Sequence, residues 1–187
     1  SIMSELRTNR IVPRDGIPSG ASGGGIIQVV FVEKSDAEQL SSNTTPQLIP
    51  GMEATITPTR SDSKILVQIV LNASVGAAYA GMYGLLRRGS QNICIGDADG
   101  SNVNRASFSF QSPIHFSGNA SNLYGPGQTS LNFLDSPATT NAVTYGIYHA
   151  ESDNGGTALY INRPSDGSNS LNYSRVASSI ILMEVSA

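Results

Sequence analysis

The sequence predicts an all-β protein. Three observations carry this: short runs of alternating apolar and polar residues fill the chain from Ile26 to Val185, no helix-length segment interrupts them, and Gly, Ser, Asn and Pro separate them. Side chains two apart on a strand point to the same face, so a half-buried sheet needs one apolar face per run.

The runs follow in order. Ile27, Val29 and Phe31 line one side of the first, which the alternation assigns to the core. Met52, Ala54 and Ile56 repeat the pattern against Glu53, Thr55 and Thr57. Ile65, Val67, Ile69 and Leu71 are backed by Leu66 and Val70, so this strand is expected to bury both faces, centrally or at a subunit contact. Ala106, Phe108 and Phe110 oppose Ser107, Ser109 and Gln111. Val143, Tyr145 and Ile147 form the next run, then Leu159 and Ile161. The last carries Ala177, Ile181, Met183 and Val185 against Ser178 and Glu184, with Ile180 and Leu182 on its back, so it too is expected to bury both faces, centrally or at a subunit contact.

Turn chemistry marks the joints: Gly89-Ser90, Asp99-Gly100, Ser117-Gly118-Asn119, Gly125-Pro126-Gly127, Asn154-Gly155-Gly156 and Asp166-Gly167. The widest gap in the alternation runs from about Ser112 to Ser130 and reads as a long loop, a place where function or a neighbour contact concentrates.

Composition bounds the function. At 187 residues the chain can close one core, and the expected organisation is a glycine-rich leader over residues 1–25 followed by a head over 26–187. Net charge is −3, with Lys34 and Lys64 the only lysines, which opposes a phosphate-tracking surface; no nucleic-acid partner is expected. Only 13% of residues are charged, a composition suited to close protein contacts. Arg87-Arg88 reads as a strand end meeting solvent or a carboxylate across a subunit contact. No apolar run approaches the roughly eighteen residues of a spanning helix, and SIMSELRTNR lacks the apolar core of a signal peptide, so synthesis in a cytoplasm without membrane insertion is expected. The N-x-Ser/Thr triplets at Asn43, Asn72, Asn119 and Asn172 then follow from composition.

Candidate chemistry is sparse. Gly20-Ala21-Ser22-Gly23-Gly24 spells a nucleophile-elbow pattern, but a strand follows where that motif needs a helix. Asp97-Ala98-Asp99-Gly100-Ser101 opens like a calcium loop, yet the sixth place is Asn102 and the twelfth Phe108. His115 and His149 lack ligand-like spacing apart from Glu151, and both read as surface or subunit-contact histidines. Asp97/Asp99 and Glu151/Asp153 could form acid pairs but read as solvated loop-edge acids. Cys94, between Ile93 and Ile95, reads as an inert buried thiol. No catalytic residue, metal or cofactor is expected. Tyr79, Tyr83, Tyr124 and Tyr173 offer flat contact area for sugar rings or proteins; Tyr124, with Asn119 and Asn122 in the long loop, is the expected receptor contact.

The stretches LLRRGSQNICIGDADGSN (Leu85 to Asn102), FLDSPATTNAVTYGIY (Phe133 to Tyr148), TALYINR (Thr157 to Arg163) and ASSIILMEVSA (Ala177 to Ala187) resemble a β-rich module of virion proteins from tailed bacteriophages. The module is often labelled a tail-fibre or structural protein and is common among phages of cyanobacteria. The leader SELRTNRIVPRDGIPSGASGGGIIQV resembles the beginnings of the same proteins. The resemblance implies a β-sandwich, jelly-roll-like, assembled as a homotrimer in the virion. The leader would dock on other virion proteins, with Leu6, Arg7, Ile11 and Val12 as the expected contacts; their apolar members are too few to form a core alone. Two roles compete: a tail-fibre or adhesin subunit whose loops meet a host-surface glycan, and a capsid-decorating or other non-adhesive virion protein. An enzyme such as a depolymerase, using Asp97 or Glu151, ranks behind both.

Overall fold

The computed structural model of the protein describes residues 25–76, 82–97, 100, 105–110, 125–151, 156, 158–167, 169, 171 and 173–186. The leader and most of the 112–130 segment therefore lie outside the described residues. Within them the chain is all-β, with no helix and eleven strands: β1 (Ile26–Lys34), β2 (Glu38–Leu40), β3 (Gln47–Ile56), β4 (Lys64–Val75), β5 (Met82–Arg88), β6 (Gln91–Ile93), β7 (Phe108–Ser109), β8 (Gly127–Asp135), β9 (Val143–Glu151), β10 (Leu159–Ile161) and β11 (Ser178–Val185).

The strands form two antiparallel sheets packed face to face, a β-sandwich. β4 is central to the first. From Ile65 to Ala73 it pairs with β8 on one side, while β11 and then β10 share the other. β1 flanks β11 and β2 flanks β10, giving the rows β1/β2, β11/β10, β4 and β8. The second sheet runs β3, β9, β5, with β6 and β7 sharing the far side of β5. β1 thus pairs with β11, β3 with β9, β4 with β8 and β5 with β6. These nested pairs, distributed alternately over two sheets, are the jelly-roll order expected from the resemblance.

The core lies between the sheets. Ile65, Val67, Ile69 and Leu71 face Met52, Ala54, Ile56, Tyr145 and Ile147, all buried, with Ile180, Leu182, Leu159 and Ile161 beside them. Between Leu48 and Glu53 the β3–β9 register slips at Pro50-Gly51, where Gly51 takes φ +75°, so Ile49 and Met52 both turn inward. Gly89-Ser90 closes a two-residue hairpin between β5 and β6, with Gly89 at φ +57°. Three non-glycine residues also take a left-handed backbone: Cys94, Ala138 and Asn162 have φ of +53°, +52° and +59°.

Three expectations are corrected. Ile27, Val29 and Phe31 point outward, and it is Val30, Val32 and Lys34 that turn toward the core. In β11 the inward face is Ser178, Ile180, Leu182 and Glu184, while Ile181, Met183 and Val185 lie half-exposed on the outside. Both runs are apolar on two faces, so alternation alone cannot say which face is buried, and pairing of Val29 with Met183 turns them together. The long gap also ends earlier than expected, because β8 starts at Gly127 and pairs along β4.

Candidate interaction surface

The polar side chains that strand ends bring inside form four clusters. In the first, Arg88 Nη1 donates to both oxygens of Asp135, at 2.9 and 2.8 Å, and the Tyr145 hydroxyl donates to Asp135 Oδ2 at 2.6 Å. The carboxylate that Arg88 meets thus belongs to its own chain, and Arg87 instead lies 4.5 Å over the Tyr148 ring. Burial, with Asp135 beside it, pushes the Tyr145 phenol far above its ordinary range.

The second cluster surrounds Glu184, which is fully buried rather than solvent-facing. Gln28 Nε2 donates to one carboxylate oxygen at 2.6 Å; the amide and hydroxyl of Thr59 donate to the other at 2.8 Å each. Burial alone would raise its pKa, but the donors outweigh it and hold the group down at about 2. A carboxylate so held ties β11 to β1 and to the segment joining β3 and β4.

The third centres on Asn162, buried completely between β10 and β11. Its side-chain amide donates to the carbonyls of Lys34 and Asp36 at 2.7 and 2.9 Å, and its oxygen accepts from Ser178 Oγ at 2.6 Å. Its backbone N–H donates to the Asn72 carbonyl. Asn162 therefore seals the point where β1 breaks into β2 and β10 gives way to β11. Beside it, buried Lys34 reaches Asp36 and Glu38 at 2.7 and 3.0 Å. Burial lowers the Lys34 pKa, and the two carboxylates more than reverse that.

The fourth is His149 and Glu151 on β9. Both are buried, not the surface groups the sequence suggests, and burial lowers the His149 pKa. Among the described residues no three His, Cys, Asp or Glu side chains gather as a metal site, and no helix is long and apolar enough to cross a membrane. Cys94 is half-buried against the core, and burial raises its thiol pKa. Tyr173 donates to Asp166, and Tyr83 is half-buried on β5. The expected receptor residues Tyr124, Asn119 and Asn122, the leader residues Leu6, Arg7, Ile11 and Val12, and His115, Tyr79, Asp99 and Asp153 lie outside the described residues.

The outer faces of the two sheets differ in kind. On the second sheet Thr55 and Thr144 share a hydrogen bond at 2.7 Å, and Arg87 Nε donates to Asn92. The first sheet presents Val29, Phe31 and Leu134, which are 56%, 58% and 49% exposed. The two-sided apolar runs of β4 and β11 pointed to part of this face as a central or subunit contact, but sequence reasoning placed Val29 and Phe31 of β1 in the core and so missed their share of it. The signal was present in the double-sided apolar runs.

The sequence matches no protein-family model and no curated protein. Among solved structures, the chain is similar to one in a structure of infectious bursal disease virus, Gt strain, at 12% identity and a TM-score of 0.39. The match covers 84% of this chain and 40% of the viral one, so this chain spans less than half of that chain's length.

Proposed function

We propose that the protein is a non-catalytic virion structural protein whose jelly-roll head assembles with copies of itself as a homotrimer. On this reading the leader docks on other virion proteins, and the head serves as a tail-fibre or adhesin subunit facing a host-surface glycan. The observation that carries it is the contrast between inside and outside. The described polar clusters around Asp135, Glu184 and Asn162 are engaged in closing the fold, whereas large apolar side chains stay uncovered on a sheet. Such a molecule has surfaces to offer rather than a reaction centre. The resemblance of its quoted stretches to tailed-phage virion proteins supports the same reading, and jelly rolls serve in viral capsid and lectin domains. Fold alone does not decide function.

The test is imaging of intact particles with a label on this chain, combined with light scattering of the purified protein. A few trimers on the tail, and adsorption lost when the 112–124 segment is deleted, are the expected results. Tens to hundreds of copies on the head would replace the adhesin role with decoration, a role the low charge content also suits. A monomer that cleaves polysaccharide would overturn both.

A further inference from the structure

We infer that the outer face of the β1–β11–β4–β8 sheet is the self-contact, turned toward a common axis by three copies of this chain. The inference rests on the self-assembly proposed above and names the surface that makes it. Strand register sets Val29, Met183, Leu66 and Leu134 side by side, one from each of the four strands. The next row carries Phe31 and Ile181, followed by Gln68 and Asn132, which hydrogen-bond to each other at 3.0 Å. An apolar row thus crosses the whole sheet, and the polar pair beside it is already satisfied. Of the seven large apolar side chains exposed among the described residues, five lie on this sheet's outer side or at its end: Ile26, Ile27, Val29, Phe31 and Leu134.

The chemistry of the face selects its occupant. Across the four paired strands its outward positions hold only two charges, Glu33 and Lys64, at opposite strand ends, so the face is neutral. It makes no demand for a basic or acidic partner, and it offers nothing to a phosphate backbone or an anionic headgroup. A surface of the same neutral, apolar kind suits it, and another copy carries one. Geometry accommodates three copies. Four strands about 4.8 Å apart make a face roughly 19 Å wide. Three such faces closed into a triangular prism would each lie about 5–6 Å from the axis, near half the roughly 10 Å separation of packed sheets. Three Val29–Met183–Leu66–Leu134 rows would then form one apolar layer around that axis. The second sheet, with its Thr55–Thr144 and Arg87–Tyr148 contacts, would face solvent.

The experiment uses the full chain, measured by light scattering over a concentration series, with peroxide oxidation of Met183 read by mass spectrometry. Wild type is expected at three chains, with Met183 oxidation slow in the assembly and several-fold faster on dilution to single chains. Val29→Glu is expected at one chain with an unchanged β-sheet spectrum, and Thr55→Glu, on the opposite face, at three. If Val29→Glu does not fold, the wild-type dilution series still decides through Met183. A Val29→Glu trimer, or a wild-type trimer with freely oxidised Met183, would overturn this face while leaving self-assembly standing. A wild-type dimer would overturn the three-fold closure. A wild-type monomer would remove self-assembly and this face together, and Met183 protected in that monomer would mean that the chain's own segment covers it.

Discussion

The Tyr145 hydroxyl donates to Asp135 Oδ2 at 2.6 Å, joining β9 of one sheet to the end of β8 in the other. Arg88 completes the site from β5, so three strands meet on one buried carboxylate. Tyr145→Phe removes one donor and leaves the ion pair, a loss of about 1–2 kcal/mol. Arg88→Ala strips the buried Asp135 of its counter-charge and is expected to cost about 3–5 kcal/mol. Because both act on the same carboxylate, urea unfolding of the single and double variants should show non-additive losses; strict additivity would contradict a shared site.

Glu184 makes stability depend on acid. Its pKa in the folded protein is about 2, against 4.5 ordinarily, so below neutrality the unfolded chain takes up this proton first. The stabilisation is complete above about pH 4.5 and is lost as pH falls toward 2. Glu184→Gln keeps the shape but weakens the bonds from Gln28 and Thr59, lowering neutral-pH stability by about 1–3 kcal/mol. Melting temperatures recorded from pH 6 to 2 should fall less steeply in the variant than in wild type; parallel curves would show that Glu184 is not the titrating group.

Gly84 on β5 lies directly opposite Phe108 on β7, and a Cβ at position 84 would clash with the edge of the Phe108 ring. The ring also packs edge-on against Phe110, with centroids 5.5 Å apart. Gly84→Ala is expected to displace β7 and destabilise the fold by about 1–3 kcal/mol. In a Phe108→Ala background the same substitution should cost much less. An equal cost in both backgrounds, measured by thermal unfolding, would place the clash elsewhere.

Asn162 combines a left-handed backbone with a buried side chain that makes three hydrogen bonds. Asn162→Gly keeps the backbone conformation and loses the three side-chain bonds, a destabilisation of about 2–4 kcal/mol. Asn162→Ala loses the same bonds and adds about 1 kcal/mol or more of backbone strain. The alanine variant should therefore melt below the glycine variant. The reverse order would mean that side-chain volume, not backbone conformation, governs this position.

Elements with strong local chemistry were legible. The β5–β6 hairpin follows from Gly89-Ser90, since a two-residue turn needs the positive φ that glycine supplies. β4 announced its central place because Leu66 and Val70 back an apolar face. β8 was obscured, since its outward Gln128, Ser130 and Asn132 resemble loop residues and its cover comes from distant β4. The polar clusters were equally hidden. Asn162 reaches back to Lys34, and Arg88 reaches forward to Asp135, so no local spacing signals either contact.

The sequence by itself determined that this protein is β-structured, where several of its turns fall, and which residues share a strand face, because turn chemistry and two-residue periodicity are local. Only the tertiary structure decided which of two apolar faces of β1 and β11 is interior, and that Glu184 is buried while Phe31 is not. That choice depends on which sheet covers each face and on donors from distant segments. Val29 and Val30 carry the same side chain on opposite faces, so only the packing partner can tell them apart.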